Sequence, residues 1–134
     1  MNQEQWNFNK GMIVELADLL TQKGYINQKS YLDAKPINID GYNVWFPLSP
    51  DGSLEVALDK EGMAFPESAS VSFERDEEEN LIIVFSSSFI LPKDSQLILK
   101  KITSAIEKLM DIETDFIKIL VVTSNVGITS DFRF

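Results

Sequence analysis

The spacing of apolar and polar positions changes along the chain, and each change predicts a different element. Between residues 12 and 23 apolar side chains recur every three or four positions, which predicts a helix. Asn9 is suited to cap its N-terminus and Gly24 to end it. Residues 25–40 show no sustained period, so we predict a loop there, with a short extended segment at 36–40.

In the middle of the chain apolar and polar positions alternate, as in strands that bury one face. The alternation predicts two hairpins. Their arms are residues 42–48 with 54–58 and residues 69–73 with 81–85. Because Pro47 has no N–H to donate, we expect an edge position or a bulge there. The second hairpin turns at the charged run 76–80.

The last third of the chain predicts a helix followed by two strands. Residues 92–95 suit a helix start, and an apolar stripe at helical spacing continues to Asp111. Residues 116–122 are nearly all apolar, which predicts a central strand covered on both faces. Residues 128–134 alternate again, and we expect this final strand to pair back on 116–122 and to bury Phe132.

The resulting order is α-β-β-β-β-α-β-β, with one core and no visible linker. It predicts a single α+β domain over residues 1–134. We expect a mainly antiparallel sheet of about six strands, with the two helices packed on one face.

The chain contains no histidine and no cysteine, which removes much of the usual chemistry of small proteins. Without imidazole no side chain has an unperturbed pKa near neutrality, and without thiolate there is no soft metal ligand, disulfide or strong nucleophile. We therefore predict no metal site, no cofactor and no catalytic residues.

The charge of the chain points to a protein partner. Its 21 acidic and 12 basic residues give a net charge of −9, which repels nucleic acid and anionic membranes and favours encounter with a basic protein. Residues 1–6 lack the basic start and apolar run of a secretory signal, and no segment is long and apolar enough to span a bilayer. These features predict a cytoplasmic protein. They leave the oligomeric state open, a dimer included.

Two features are candidates for partner binding. The first is the run of carboxylates Asp76, Glu77, Glu78 and Glu79, for which the alternative is a solvated turn that keeps strand edges apart. The second is Trp45, which points away from the predicted inner face and would be an interface anchor if exposed. The alternative is that a helix or the segment 25–40 covers it.

Ser86, Ser87, Ser88 and Lys118 are candidates for lining a small-ligand pocket between the sheet and the helices. Small hydroxyl side chains can form a pocket floor, and a desolvated lysine can become reactive. The alternatives are a bulge at the serines and a lysine stem packed along the sheet. No histidine is present to activate a serine. The carboxylates at 111–115 could in principle act as acids and bases, but such clusters are usually solvated.

In general character the chain is similar to acidic immunity proteins and type III secretion chaperones, although it shares no motif with them. Residues 70–111 predict a hairpin followed by a helix, as in the second half of such chaperones. The helix that those proteins place between their strands is absent between Leu58 and Ala69. Our first hypothesis is a non-catalytic, acidic protein-binding module of the inhibitor, immunity or chaperone type. The alternatives are a small-ligand-binding domain and, third, an enzyme that uses carboxylates or Lys118.

Overall fold

The fold combines two helices with a sheet, as the sequence predicts. The computed structural model describes residues 2–27 and 33–122, and the backbone of 127–133. Its elements are α1 (Gln3–Gln22), β1 (Ile37–Ile39), β2 (Tyr42–Trp45), β3 (Glu55–Lys60), β4 (Glu67–Arg75), β5 (Leu81–Ser87), α2 (Lys93–Met110), β6 (Phe116–Val122) and β7 (Gly127–Arg133).

The seven strands form one sheet in chain order, β1 to β7. Neighbouring strands are antiparallel except β5 and β6, which are parallel because α2 carries the chain back to the same end of the sheet. The predicted α+β class with a mainly antiparallel sheet is confirmed. The additional strand is β1, which lies within the predicted extended segment 36–40 and makes five strands before α2.

Both helices contribute to one hydrophobic cluster on one face of the sheet. Alternate strand positions point into it, as in the pattern buried, exposed, buried at Tyr42, Asn43 and Val44. Fully buried members include Leu16, Val44, Val56, Phe73, Phe85, Leu99, Ile102 and Ile117. The opposite face, which we call the outer face, carries the other strand positions. The outer face carries most of the polar strand residues and, in β5, the buried apolar residues Ile82 and Val84.

Helix α1 begins nine residues earlier than its apolar pattern predicts. Asn2 is the N-cap, and its side-chain Oδ1 accepts a hydrogen bond from the Gln5 N–H at 2.7 Å. The assignment of Asn9 as N-cap is therefore wrong, because the first turns are helical despite their polar composition. Trp6, which precedes the apolar pattern in the sequence, therefore lies within α1. The end is as predicted, with Gly24 following the helix at a φ of +84°.

The amide side chains of α1 satisfy an open edge of β4. The Val71 N–H donates to the Leu54 carbonyl, and from there on the described part of β3 provides no partner for β4. Asn9 Oδ1 instead accepts from the Phe73 N–H at 2.7 Å. Gln5 Nε2 donates to the Phe73 carbonyl at 2.8 Å, and Gln5 Oε1 accepts from the Arg75 N–H at 3.3 Å. Side chains of helix α1 thus provide the hydrogen-bond partners that a neighbouring strand would otherwise provide to this part of β4.

Strand β6 is internal, between β5 and β7, but only one of its faces is buried. The prediction that both faces are covered is wrong, because the helices lie on one side and outer-face residues such as Lys118 are half-buried. The predicted pairing of the final strand is confirmed, with Phe116 opposite Arg133 and Val122 opposite Gly127. The predicted burial of Phe132 lies outside the described side chains.

Pro47 lies at a break in the sheet ladder, as expected for a residue without an N–H. Strand β2 ends at Trp45, and pairing resumes with a single bridge between Leu48 and Leu54. The Pro47 carbonyl still accepts from the Glu55 N–H at 2.9 Å. Strand β1 pairs with β2 only at residues 42–44, so among the described residues no strand flanks Pro47 on that side, which agrees with the expected edge position.

Candidate functional site

The acidic run forms the turn between β4 and β5, and its first carboxylate organises it. Asp76 Oδ1 accepts from the N–H groups of Glu78 and Asn80, both at 2.9 Å, and Asp76 Oδ2 accepts from Asn80 Nδ2 at 2.9 Å. Glu79 has a φ of +64°, and the Arg75 guanidinium donates to its carbonyl at 3.0 Å. Asp76 therefore fixes the turn, while the side chains at 77–79 are exposed to solvent.

We expect the Asp76 carboxyl to titrate below its ordinary pKa of 3.8. The Asn80 side chain, the Asn80 N–H and the Glu78 N–H all donate to the carboxylate and favour its charged form, which lowers the pKa. The Asp76 carboxyl has a lower pKa in the folded state than in the unfolded state. Its contribution to the stability of the fold is therefore fully present above the unfolded-state pKa, and it is lost as the pH falls through the folded-state pKa. NMR titration of Asn80→Ala should show the Asp76 pKa rising toward 3.8.

Asp51 provides an internal control for that titration. Its pKa is also lowered, mainly by the Ser53 N–H, and Asn80 does not contribute to this shift. It should stay unchanged in Asn80→Ala. An Asp76 pKa that does not move in this variant would show that the Asn80 side chain does not donate a hydrogen bond to the Asp76 carboxylate.

Trp45 lies on the outer face of the sheet and is half-buried. Its predicted direction, away from the core, is confirmed. It pairs with Ala57, which pairs in turn with Ser68 near the start of β4. Asp76 follows the end of β4, eight positions after Ser68, which is about 26 Å at roughly 3.3 Å per residue. The two candidate partner-binding features therefore lie at different ends of the sheet and do not form one compact site.

The three serines do not converge on a pocket. Ser86 lies on the outer face opposite Ser70 and Leu120, whereas Ser87 faces inward, is buried, and accepts at Oγ from the Phe89 N–H at 3.3 Å. Ser88 is exposed. Lys118 shares the outer face with Ser86, so neither can line a pocket between the sheet and the helices. That hypothesis is wrong at these residues, because neighbouring strand positions face opposite sides.

The structure shows cavities elsewhere. A groove of about 410 Å³ lies where the C-terminal ends of α1 and α2 meet the β1–β2 end of the sheet. Its lining residues are Leu20, Lys23, Tyr25, Ile37, Phe46, Ala105, Ile106, Lys108 and Leu109. A second cavity, of about 280 Å³, lies between α1 and the β2–β3 loop. The candidate serines and Lys118 line neither of them.

The carboxylates that follow α2 have structural partners. Asp115 Oδ2 accepts from the Leu81 N–H at 2.8 Å, and Glu107 Oε2 accepts from the Thr114 N–H at 2.8 Å. Asp111 ends α2 in the left-handed conformation, at a φ of +55°. These groups connect α2 to β5 and β6, and no group of three acidic side chains within the described residues is placed to hold a metal ion.

Four exposed apolar side chains that the sequence analysis did not single out belong to chain segments at one end of the sheet. Phe65 is 81% exposed, Phe89 79%, Ile90 70% and Leu97 53%. We call these four side chains the apolar end. They come from the β3–β4 loop, the β5–α2 loop and the start of α2, which meet where β4 begins and β5 ends. The sequence carries one signal for these exposed residues. Phe65 and the Phe89-Ile90 pair each lie close to a proline, in predicted loops where polar residues are usual.

The loops that carry the apolar end are anchored at their bases. Gly62, at a φ of +92°, precedes Met63, whose N–H donates to the Lys60 carbonyl at 3.0 Å. Ser95 Oγ donates to Glu67 Oε1 at 2.7 Å and so connects the start of β4 to the first turn of α2. Leu91, next to the exposed Phe-Ile pair, is buried in the core. The apolar side chains are thus held outward by ordered neighbours.

Comparison with known proteins adds no family. No protein-family model matches this chain, and no curated protein or solved structure matches it. Among the residues that the structure describes, no helix combines the length and apolarity needed to cross a membrane. Function is therefore inferred from the surfaces of this molecule.

Proposed function

We propose that this chain is a non-catalytic, acidic protein-binding module that docks its apolar end on a basic partner protein in the cytoplasm. The observation that carries the proposal is the exposure of four large apolar side chains, from three chain segments, at one end of the fold. Burying one such side chain contributes about 1.5–3 kcal/mol. Several large apolar side chains exposed at one end of a fold are unusual in a monomer and favour an interaction site, where aromatic anchors often dominate the binding energy.

Charge favours a basic protein over a second copy of this chain. Two copies would each bring a net charge of −9 to the interface, whereas a basic partner would be attracted over long range. The exposed carboxylates at 77–79, far from the apolar end, add to this attraction without having to touch the partner. An inhibitor, an immunity protein or a chaperone would use an acidic body and an apolar contact in this way.

The side-chain chemistry gives less support to an enzyme. Histidine and cysteine are absent, the serines at 86–88 point in different directions, and Asp115 and Glu107 accept hydrogen bonds from backbone N–H groups. Lys118 lies on the outer sheet face and lines neither of the two cavities described above. A binding role needs none of these groups to react.

The proposal predicts that Phe89→Ser/Ile90→Ser loses partner binding while Trp6→Ser/Val14→Ser keeps it. The control pair lies on α1, where Trp6 is 47% and Val14 53% exposed, so both variants remove exposed apolar groups of similar kind. Immobilised protein would capture partners from native lysate in low and high salt. A captured basic protein would then be purified and its Kd measured for each variant.

We expect the apolar-end variant to weaken binding at least tenfold, and high salt to weaken binding of the wild-type protein as well. Equal loss in both variants, or no loss in either, would refute the apolar end as the docking surface. Sedimentation of the pure protein tests whether the apolar end binds a second copy of this chain. A stable dimer that Phe89→Ser/Ile90→Ser dissociates would mean that the apolar end binds a second copy instead.

A further inference from the structure

The groove between the helix ends and β1–β2 has an apolar floor. Its deepest residues, Leu20, Phe46 and Ile106, are 1%, 4% and 2% exposed and belong to the hydrophobic core. Half-buried side chains, among them Tyr25 and Leu109, form its walls. At about 410 Å³ the groove lies within the usual range of small-molecule sites, roughly 300–1,000 Å³.

The charged side chains that line the groove, among the described residues, are both cationic. Lys23 follows α1 and Lys108 lies in the last turn of α2, and none of the described carboxylates lines the groove. Within the described residues neither lysine forms an ion pair. Lys35 lies nearby, with its Nζ 5.3 Å from the centre of the Tyr25 ring. The C-terminal ends of the two helices carry partial negative charge and would repel an anion. The positive charges of the lysines oppose this repulsion and favour an anion in the groove.

We propose that this groove binds a free, single-chain anionic amphiphile of the fatty-acid class. The tail would lie on the floor formed by Leu20, Phe46 and Ile106, and the carboxylate would lie between Lys23 and Lys108. A protein of net charge −9 repels anions in general, so the two lysines select a ligand whose apolar part supplies most of the affinity. This site is separate from the apolar end and does not depend on the proposed partner binding.

Calorimetric titration with dodecanoate below its micelle concentration tests the site. We expect saturable binding of dodecanoate. Dodecyltrimethylammonium has the same tail and the opposite charge, and we expect it to bind at least fivefold more weakly. Lys23→Glu/Lys108→Glu should lower dodecanoate affinity at least fivefold and shift the preference toward the cation. Ala105→Trp should block the groove and abolish binding of both.

Matched variants distinguish this site from other causes. Lys60→Glu/Lys93→Glu has the same net charge as the groove variant, and its dodecanoate affinity should stay within about twofold of wild type. Circular dichroism checks that each variant is folded, and the two lysine variants keep the test decisive if Ala105→Trp does not fold. Equal effects of the two lysine pairs would overturn the proposal.

Two further outcomes would also overturn it. Loss of dodecanoate binding in Phe89→Ser/Ile90→Ser, with retention in Ala105→Trp, would place the amphiphile on the apolar end instead. Co-sedimentation with vesicles of phosphatidylcholine and phosphatidylglycerol tests lipid headgroups as the source of the anion. Binding to these vesicles without binding of monomeric dodecanoate would show membrane attachment in place of a free ligand.

Discussion

Phe85→Ala is expected to cost about 3–5 kcal/mol of folding free energy, far more than the loss of an exposed side chain of the same size. Phe85 lies in the middle of β5, is completely buried, and pairs with Val71 on one side and Ile119 on the other. Truncation removes apolar area from the core and leaves a cavity that a sheet fixed on both sides cannot fill. Because small domains are stable by only about 5–15 kcal/mol, urea unfolding should show a large fall in midpoint.

Phe89→Ala is the matched control for this measurement. It removes the same atoms four residues further along the chain, at a side chain that is 79% exposed. We expect its unfolding free energy to stay within about 0.5 kcal/mol of wild type. Similar costs for the two substitutions would contradict the burial difference, and with it the assignment of Phe89 to the apolar end.

The elements that follow a clear apolar period were predictable from sequence. The second hairpin, the strand at 116–122 and the helix that ends near Asp111 all lie where the pattern places them. In β4 and α2 the core-facing side chains determine the pattern, whereas β5 and β6 carry apolar residues on both faces and are marked by a nearly continuous apolar run. The parallel pairing of β5 and β6 follows once a helix separates two neighbouring strands.

The start of α1 could not be predicted in this way. Its first turns are polar. They are stabilised by the Asn2 cap, by the Gln5 Nε2 that donates to the Phe73 carbonyl and by the Asn9 Oδ1 that accepts from the Phe73 N–H. These contacts to β4 span more than sixty residues of sequence, so no local period records them. A polar amide that satisfies a strand edge looks in sequence like any solvent-exposed residue.

Protein binding stays a prediction, and the sequence does not indicate where exposed apolar side chains gather. Charge and missing chemistry favoured protein binding, while the residues chosen, Trp45 and the acidic turn, lie at different ends of the sheet. The apolar end depends on which loops meet. Phe65 and Phe89 are 24 positions apart in sequence and come to the same end only because β4 and β5 are antiparallel. A pattern that assigns apolar residues to the core by default does not reveal exposed ones.

The second large effect is expected from Gln5→Ala/Asn9→Ala, which should cost about 2–4 kcal/mol of folding free energy. The substitutions remove three hydrogen bonds to the backbone of Phe73 and Arg75, two of them at part-buried positions where water can replace them only incompletely. Leaving such backbone groups without a partner costs about 1–3 kcal/mol each, and partial hydration lowers that sum.

Gln3→Ala/Asn7→Ala is the control, because the same helix carries this second Gln and Asn pair at the same spacing. Gln3 and Asn7 are exposed and their side chains bond to each other, at 3.1 Å, so we expect a cost below about 0.5 kcal/mol. Hydrogen exchange gives an independent readout. The Phe73 and Arg75 amides should exchange faster in Gln5→Ala/Asn9→Ala and stay protected in the control. Protection that persists in both variants would mean that α1 does not satisfy the β4 edge, and that its polar first turns are held by the Asn2 cap and by apolar packing alone.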